Sequence, residues 1–398
     1  MDAAAWLTRR GMDALLGPEY VILPGLCDVH VHLREPGFSA KETIRTGTLA
    51  AAKGGCTTVC SMPNLDPVPD CPENLEPQLE RIRRDARVRV LPYGAITKGE
   101  QGRELADLEA LAPKVCAFSD DGRGVQDAGL MREAMVRAKA LGKIICAHCE
   151  DDALRAGGHI HAGAWARLHG IPGISSASEY GQLERDLMLA EETGCAYHAC
   201  HLSTKESIRL MRQAKAAGLN VSCETAPHYL LLCLEDLRDE GRFKMNPPLG
   251  DRDDRDAVLE GFLDGTVDML ATDHAPHTPA EKAGGLRESL MGVVGLEPAF
   301  PVLYTALVRT GIASLDTLAE RMVFAPRRRF GLEAAEDFAV FRGGTEFKLD
   351  PEAFVSKGRA TPFGGMRLHG ACVLTVAEEE IVYSEREDPA SWGGKNNG

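Results

Sequence analysis

Residues 26–37 read Leu-Cys-Asp-Val-His-Val-His-Leu-Arg-Glu-Pro-Gly, and this stretch decides the fold. Leu26–Leu33 is an apolar, β-rich run. Successive side chains of a strand point to opposite faces, so His30 and His32, two residues apart, present both imidazoles on one face. Arg34 follows two residues later, on the same side of the strand end.

Working outward, seven further runs repeat the texture: Thr57–Met62, Val88–Ile96, Lys114–Ser119, Lys143–His148, Ala196–Leu202, Leu219–Glu224 and Val267–Asp273. Between them lie helical patterns rich in Ala, Leu, Glu and Arg, at Glu42–Lys53, Glu73–Arg84, Gly129–Leu141, Glu179–Thr193, Lys205–Ala217 and Asp251–Gly261. Glycines mark helix stops, as in Lys53-Gly54-Gly55 and Leu141-Gly142. Strands alternating with helices imply a parallel sheet, and eight of them suggest closure into an α/β barrel, the (β/α)8 TIM barrel. No GxGxxG follows the first strand, which removes the main support for a dinucleotide fold. The expected organisation is a short N-terminal segment (1–24), the barrel (25–330) and a C-terminal β-rich extension (331–398) with a mobile tail at Asp388–Gly398. Short strands are expected at Ala339–Phe341, Ala371–Val376 and Ile381–Tyr383, and a helix at Ala3–Leu16.

Residues able to bind metal fall at the ends of these runs. Asp121 follows the fourth, in Phe118-Ser119-Asp120-Asp121-Gly122; His148 ends the fifth, His201 lies at the end of the sixth, and Asp273 ends the eighth. In a parallel barrel the carboxyl ends of all strands ring one mouth. Four imidazoles and two carboxylates therefore converge, a donor set suited to one or two zinc ions. A lone His at a strand end is more often structural than a ligand. The joint pattern on five strands is what carries the metal reading.

The chain has 398 residues, 44% hydrophobic and 26% charged, with a formal charge of −14. The acidic balance argues against nucleic-acid binding, which needs basic patches. No run of about 18 apolar residues exists to span a membrane. Residues 1–16 carry Asp2, Arg9 and Arg10 and lack the apolar core of a secretory signal. The 12 cysteines, mostly in apolar stretches, read as reduced buried thiols of a cytoplasmic protein. Cys146-Ala-His-Cys149 has CxxC spacing, but no second pair accompanies it to make a zinc knuckle.

The segment Asp28–Gly37 resembles the dihydroorotase signature of the amidohydrolase superfamily, in the bacterial class with a metal-bridging Asp. FSDDG at 118–122, AHCED at 147–151, HLSTKES at 201–207, ETAPHYL at 224–230, NPPL at 246–249 and ATDHAPH at 271–277 extend the resemblance over about residues 25 to 385. It implies that His30 and His32 hold the more buried metal, that Asp121 bridges, with Asp120 the weaker candidate, and that His148 and His201 hold the second metal. It further implies that Asp273 is both ligand and proton shuttle, that Arg34, Asn64 and His277 bind a substrate carboxylate, and that Asn246 contacts the pyrimidine ring. The implied reaction is the reversible cyclisation of N-carbamoyl-L-aspartate to L-dihydroorotate, in a homodimer able to associate with aspartate transcarbamoylase. Relatives carry some fifty residues before the barrel, against about 24 here, so a reduced β-rich satellite formed by the terminal segments is expected. Thr278–Met291 is expected to form a mobile loop over the mouth. The rival enzymes, hydantoinase, dihydropyrimidinase and allantoinase, bridge their metals with a carboxylated Lys, and Lys114 starts its strand at the wrong end for that. The rival from another class, a non-catalytic scaffold for the transcarbamoylase, is disfavoured by the full ligand set.

Overall fold

The computed structural model describes residues 2–333 and 336–386; the tail Asp388–Gly398 lies outside the described residues. Strands Leu26–Val31, Cys56–Ser61 and Arg89–Pro92 pair in parallel, as do Ile145–Ala147, Tyr197–Ala199, Val221–Thr225 and Met269–Leu270. Phe118 joins the two sheets by parallel bridges to Gly94 and Ile145, and Val31 meets His274 to close the ring. The (β/α)8 barrel is therefore closed by eight staves. The fourth differs from expectation. Lys114, its first residue, closes a turn at Ala112–Lys114, and its ladder is reduced to single bridges at Phe118. The remainder still bonds like a stave, with Cys116 N donating to Pro92 O, Ser119 N to Gly94 O and Phe118 O accepting from Cys146 N, each at 2.9 Å.

Asp28 ties the seam. Its carboxylate accepts from the backbone N–H of His30 (3.1 Å) and from that of Thr272 (3.2 Å), while His32 N donates to His274 O at 2.8 Å. Inside the barrel Cys27, Val29, Cys60, Met62, Cys146 and Met269 form an apolar plug below the mouth. All twelve cysteines are free and ten are buried. Cys146 faces this plug, whereas Cys149 packs outward, its Sγ 3.2 Å from Tyr197 Oη, so the CxxC pair does not converge.

Helices cover the outside. Ile44–Lys53 starts at a reciprocal cap between Thr43 and Thr46, and Ser176–Thr193 starts at Ser175 and stops at Gly194 in the left-handed region (φ 66°). The terminal segments build an antiparallel sheet in the order Tyr20–Pro24, Phe338–Arg342, Ala371–Ala377, Glu380–Ser384. Its inner face touches the barrel through Phe341, whose ring lies where a Cβ on Gly55 would clash at 2.4 Å. Its outer face is covered by the helix Ala3–Arg9, which buries Trp6 and Leu7 against Phe338, Val340, Val373 and Val376. The N-terminal helix is shorter than expected: Gly11 (φ 67°) breaks it, and Asp13–Leu16 forms a separate 3-10 turn. Among the described residues no helix is long and apolar enough to cross a membrane.

Candidate active site

Apart from His30, which lies inside Leu26–Val31, the site side chains lie past the ends of their strands, where the backbone turns into loops. His32 follows Val31 and His148 follows Ala147; His201 and Asp273 lie two and three residues beyond their strands. His201 (φ 31°), Asp273 (φ 46°) and Arg34 (φ 59°) adopt positive φ, a conformation that costs a non-glycine residue about 1–3 kcal/mol and is concentrated at functional sites. The barrel supports this strain from below with its buried plug.

Asp121 is the centre. His30 Nε2 lies 3.3 Å from its Oδ1 and His32 Nε2 3.4 Å from its Oδ2. His201 Nε2 (3.7 Å) and His148 Nδ1 (3.8 Å) approach Oδ1 from the other side. Asp273 Oδ1 completes the near group, 3.1 Å from His32 Nε2 and 3.6 Å from His30 Nε2. Asp120 points elsewhere, accepting from the backbone N–H of Ile96 (2.7 Å) and of Thr97 (3.0 Å). All six candidate ligands, His30, His32, Asp121, His148, His201 and Asp273, thus meet in one place.

The electrostatics follow from this crowding. Burial alone would raise the carboxyl pKa values, but His30 pulls Asp121 well below the ordinary range, and His32 and His30 do the same to Asp273. Both carboxylates are therefore held ionised. Burial opposes a charge on His30, yet Asp121 and Glu224 raise its pKa well above the usual value.

Two residues were missed by the sequence reading. Glu224 Oε1 accepts from His30 Nδ1 at 2.7 Å and its Oε2 lies 3.1 Å from His198 Nε2; His198 Nδ1 in turn contacts Ser222 Oγ at 2.7 Å. Despite burial, which would raise it, the Glu224 pKa is pulled down to about 2 by His30 and His198. A carboxylate holding the Nδ1–H of a histidine turns Nε2 toward a metal and raises its basicity. The signal was a charged residue in the middle of a wholly buried strand, Val221–Thr225.

Nine of the ten candidate residues line one cleft of about 350 Å³; His30 is fully buried behind them. Arg34 Nε donates to Pro276 O (3.3 Å), and among the described residues no carboxylate lies within ion-pair distance of its guanidinium. It is therefore free for an anion. Asn64 is partly engaged: Oδ1 accepts from His32 Nδ1 at 2.8 Å, and Nδ2 donates to Asp121 Oδ2 at 3.4 Å. His277 lines the cleft with both nitrogens occupied, Nε2 donating to Met291 O (2.7 Å) and Nδ1 facing Lys41 Nζ (3.3 Å). Burial together with Arg34 and Lys41 lowers its pKa to about 3, so it is neutral. Asn246 Nδ2 lies 3.0 Å from Glu150 Oε1 and 3.1 Å from His148 Nε2. The segment Thr278–Met291 does border the mouth, but it is tied down rather than loose. Lys282 Nζ donates to three carbonyls, those of Lys244 (3.0 Å), Leu290 (2.7 Å) and Gly292 (2.7 Å).

The donor set fits a metal ion. The ligand atoms of His30, His32 and Asp121 lie within 4.8 Å of one another, as do those of Asp121, His148 and His201, and Asp121 belongs to both sets. His30 Nε2 and Asp121 Oδ1 are buried at the centre of the cluster without a hydrogen-bond partner. Buried polar atoms carry that cost only where another partner satisfies them, and imidazole nitrogen with carboxylate oxygen is a donor set for a divalent cation.

Fold and site together define a hydrolase of cyclic amides built on the amidohydrolase barrel. Its backbone matches L-hydantoinase (dihydropyrimidinase) from Arthrobacter aurescens with a TM-score of 0.81 at 24% identity, covering 92% of this chain and 85% of that one. Dihydropyrimidinase from Brevibacillus agri matches with a TM-score of 0.80 at 20% identity, covering 93% and 86%. A family model described as dihydro-orotase-like matches residues 19–207. The dihydroorotase of Bacillus caldolyticus is 53% identical over 374 residues, 92% of this chain and 88% of the relative, and that of Fusobacterium nucleatum is 49% identical over 375 residues, again 92% and 88%. The chain belongs to the dihydroorotase family.

Proposed function

We propose that this chain interconverts N-carbamoyl-L-aspartate and L-dihydroorotate, using one or two zinc ions held by His30, His32, Asp121, His148, His201 and Asp273. The observation that carries the reading is the convergence of four imidazoles on Asp121, beside Asp273, in a cleft that also presents an unpaired Arg34. His30, His32 and Asp273 would hold one ion, His148 and His201 the other, with Asp121 between them. A divalent cation there would lower the pKa of water toward roughly 7 and polarise the ring carbonyl.

The chain's own residues do the rest. Arg34 offers a planar fork to the free carboxylate and so fixes the ring's orientation. Asn64, His277 and Asn246 line the same cleft, where the first two would join Arg34 on the carboxylate and Asn246 would contact the ring. Asp273 is ionised and therefore competent to take the proton of the attacking water. The C–N bond of the ring amide breaks, and Asp273 returns that proton to the departing nitrogen. In cyclisation it removes the ureido N–H proton as that nitrogen attacks the side-chain carboxylate; that proton and one more from solvent leave with the displaced oxygen as water.

The same reading takes the chain as a barrel over residues 25–330 between a segment at 1–24 and an extension at 331–398, working in the cytoplasm as a homodimer open to an aspartate transcarbamoylase partner. Sizing of the pure protein and of a mixture tests the assembly. Zinc-loaded protein assayed with dihydroorotate, hydantoin, dihydrouracil and allantoin tests the activity. Turnover is expected with dihydroorotate, and turnover only of the other three would overturn the reading.

A further inference from the structure

The two halves of the metal cluster have different supports. His30 is held from behind by Glu224. The half built from His148 and His201 leans instead on the helix Ser176–Thr193. Glu179, in the first turn of that helix, is only 5% exposed. Its carboxylate accepts from the backbone N–H and the hydroxyl of Ser203, at 3.2 Å and 2.6 Å, and from those of Thr204, at 3.2 Å and 2.9 Å. These two residues are the second and third after His201. Gln182 lies almost one turn further along the same face and is also buried. Its Oε1 accepts from Glu150 N at 3.2 Å, and its Nε2 donates to His148 O at 3.4 Å. Among the described residues no hydrogen bond joins this helix to His30, His32 or Asp273.

A buried carboxylate is costly unless its oxygens are paired, and here every partner of Glu179 belongs to the loop behind His201. That loop carries strain, since His201 has a φ of 31°. As far as Leu202 it is held by the neighbouring strand: Leu202 N donates to Glu224 O at 2.9 Å, and Leu202 O accepts from Thr225 Oγ1 at 2.8 Å. Beyond Leu202 it is held by Glu179, up to Thr204, which caps the helix Lys205–Ala216.

We propose that Glu179, assisted by Gln182, is a positioning residue for the second metal ion: it fixes His201 and His148, and so sets the affinity of that ion without setting that of the first. The inference rests on the two-ion form of the metal reading. A loop fixed in advance presents its imidazole to the cation with no further loss of chain freedom, whereas a released loop must be ordered each time the ion binds. The first ion, held by His30, His32 and Asp273, does not feel this difference.

The test is zinc binding itself, measured on the full chain by metal analysis and by competition with a chelator. Wild type is expected to bind two ions. Glu179→Gln leaves one acceptor oxygen for the four donors and turns an NH2 group toward the rest. One zinc affinity should fall about 10–100-fold, the usual loss when a ligand's support is removed, while the other stays within about threefold. A double-mutant comparison identifies the ion concerned. His201→Asn removes a ligand of the second ion, and adding Glu179→Gln to it should leave the affinity for the remaining ion unchanged. A merely structural Glu179 would weaken both ions together, or weaken the remaining ion in the His201→Asn background, and either result overturns the proposal. Unchanged affinities in Glu179→Gln, or a wild type that takes up only one ion at saturating zinc, overturn it as well. If Glu179→Gln does not fold, Ser203→Ala removes only the 2.6 Å bond. It should show the same one-sided loss at about threefold, the scale of a single hydrogen bond, and its absence there overturns the proposal. A two-zinc wild type that never opens dihydroorotate would defeat the assigned reaction, a result distinct from an active wild type whose two zinc affinities fall together.

Discussion

The barrel mouth and the terminal sheet both depart from regular backbone, and they do so for opposite reasons. At the mouth, positive φ falls on Arg34, His201 and Asp273, which sit beside or within a buried polar cluster. At the sheet it falls on Glu378 and Glu379, in the tight turn between Ala371–Ala377 and Glu380–Ser384, where it only reverses the chain in the sense that two-residue hairpins favour. The mouth spends stability on buried carboxylates and imidazoles; the sheet supplies it through Trp6, Phe338, Val373 and Val376. Activity and stability are accordingly separable in this molecule, and substitutions at each end test that separation.

The largest effect is expected at Asp273. Asp273→Asn keeps an oxygen that can face the cation but removes the base, so kcat falls by about 10²–10⁴-fold. Zinc content is largely retained, because His30, His32 and Asp121 remain. Rate assays and metal analysis on the same preparation check this. Near-full activity would remove Asp273 from the proton transfer and blur the contrast between the two regions.

Trp6→Ala is the mirror experiment. Trp6 is 3% exposed and meets Phe338 edge-on at 5.4 Å. Truncating a buried tryptophan costs about 3–5 kcal/mol, read in denaturant unfolding. The kcat of the folded fraction should match wild type, because none of this cluster lines the cleft. A matching loss of kcat in folded protein would mean that the sheet sets the geometry of the mouth.

Glu224→Gln tests the support directly behind the mouth. The amide still fits the space but no longer holds a full charge against His30 and His198. Loss of such a support typically weakens metal binding about 10–100-fold. Competition with a chelator measures that loss, and unchanged affinity would make Glu224 a packing residue.

What could be read in the chain and what could not divides along the same physical line. His30 and His32 were legible because period two is local and their chemistry is unambiguous. His148, His201 and Asp273 were legible because a parallel barrel brings all strand ends to one rim. Glu224 and His198 were not, since their role exists only once the barrel closes and Glu224 reaches His30 across its interior while holding His198 on the neighbouring strand. The fourth stave reads as a strand over Lys114–Ser119 from its apolar run, although Lys114 closes a turn and Phe118 makes only single bridges. The segment after Thr278 looked loose by composition, because nothing local shows that Lys282 will find three carbonyls. Nor does composition reveal that His277 arrives at the cleft with both nitrogens already engaged.

That last point yields the smallest expected effect. Lys41 Nζ faces His277 Nδ1 at 3.3 Å and pairs with Glu281 Oε1 at 3.1 Å. A part-exposed pair of this kind is worth about 0.2–1 kcal/mol. Lys41→Met therefore leaves thermal stability almost unchanged. It also frees His277 Nδ1 and removes one cation from the neighbourhood of Arg34. The two changes oppose each other for a bound carboxylate, since a released imidazole gains freedom to hydrogen-bond while the local positive charge falls. The charge acts over a longer range than the hydrogen bond, so KM for dihydroorotate should rise, by about two- to fivefold, with kcat unchanged. A fall in KM would show instead that Lys41 holds His277 back from the substrate, and the mouth would then contain a residue whose task is restraint.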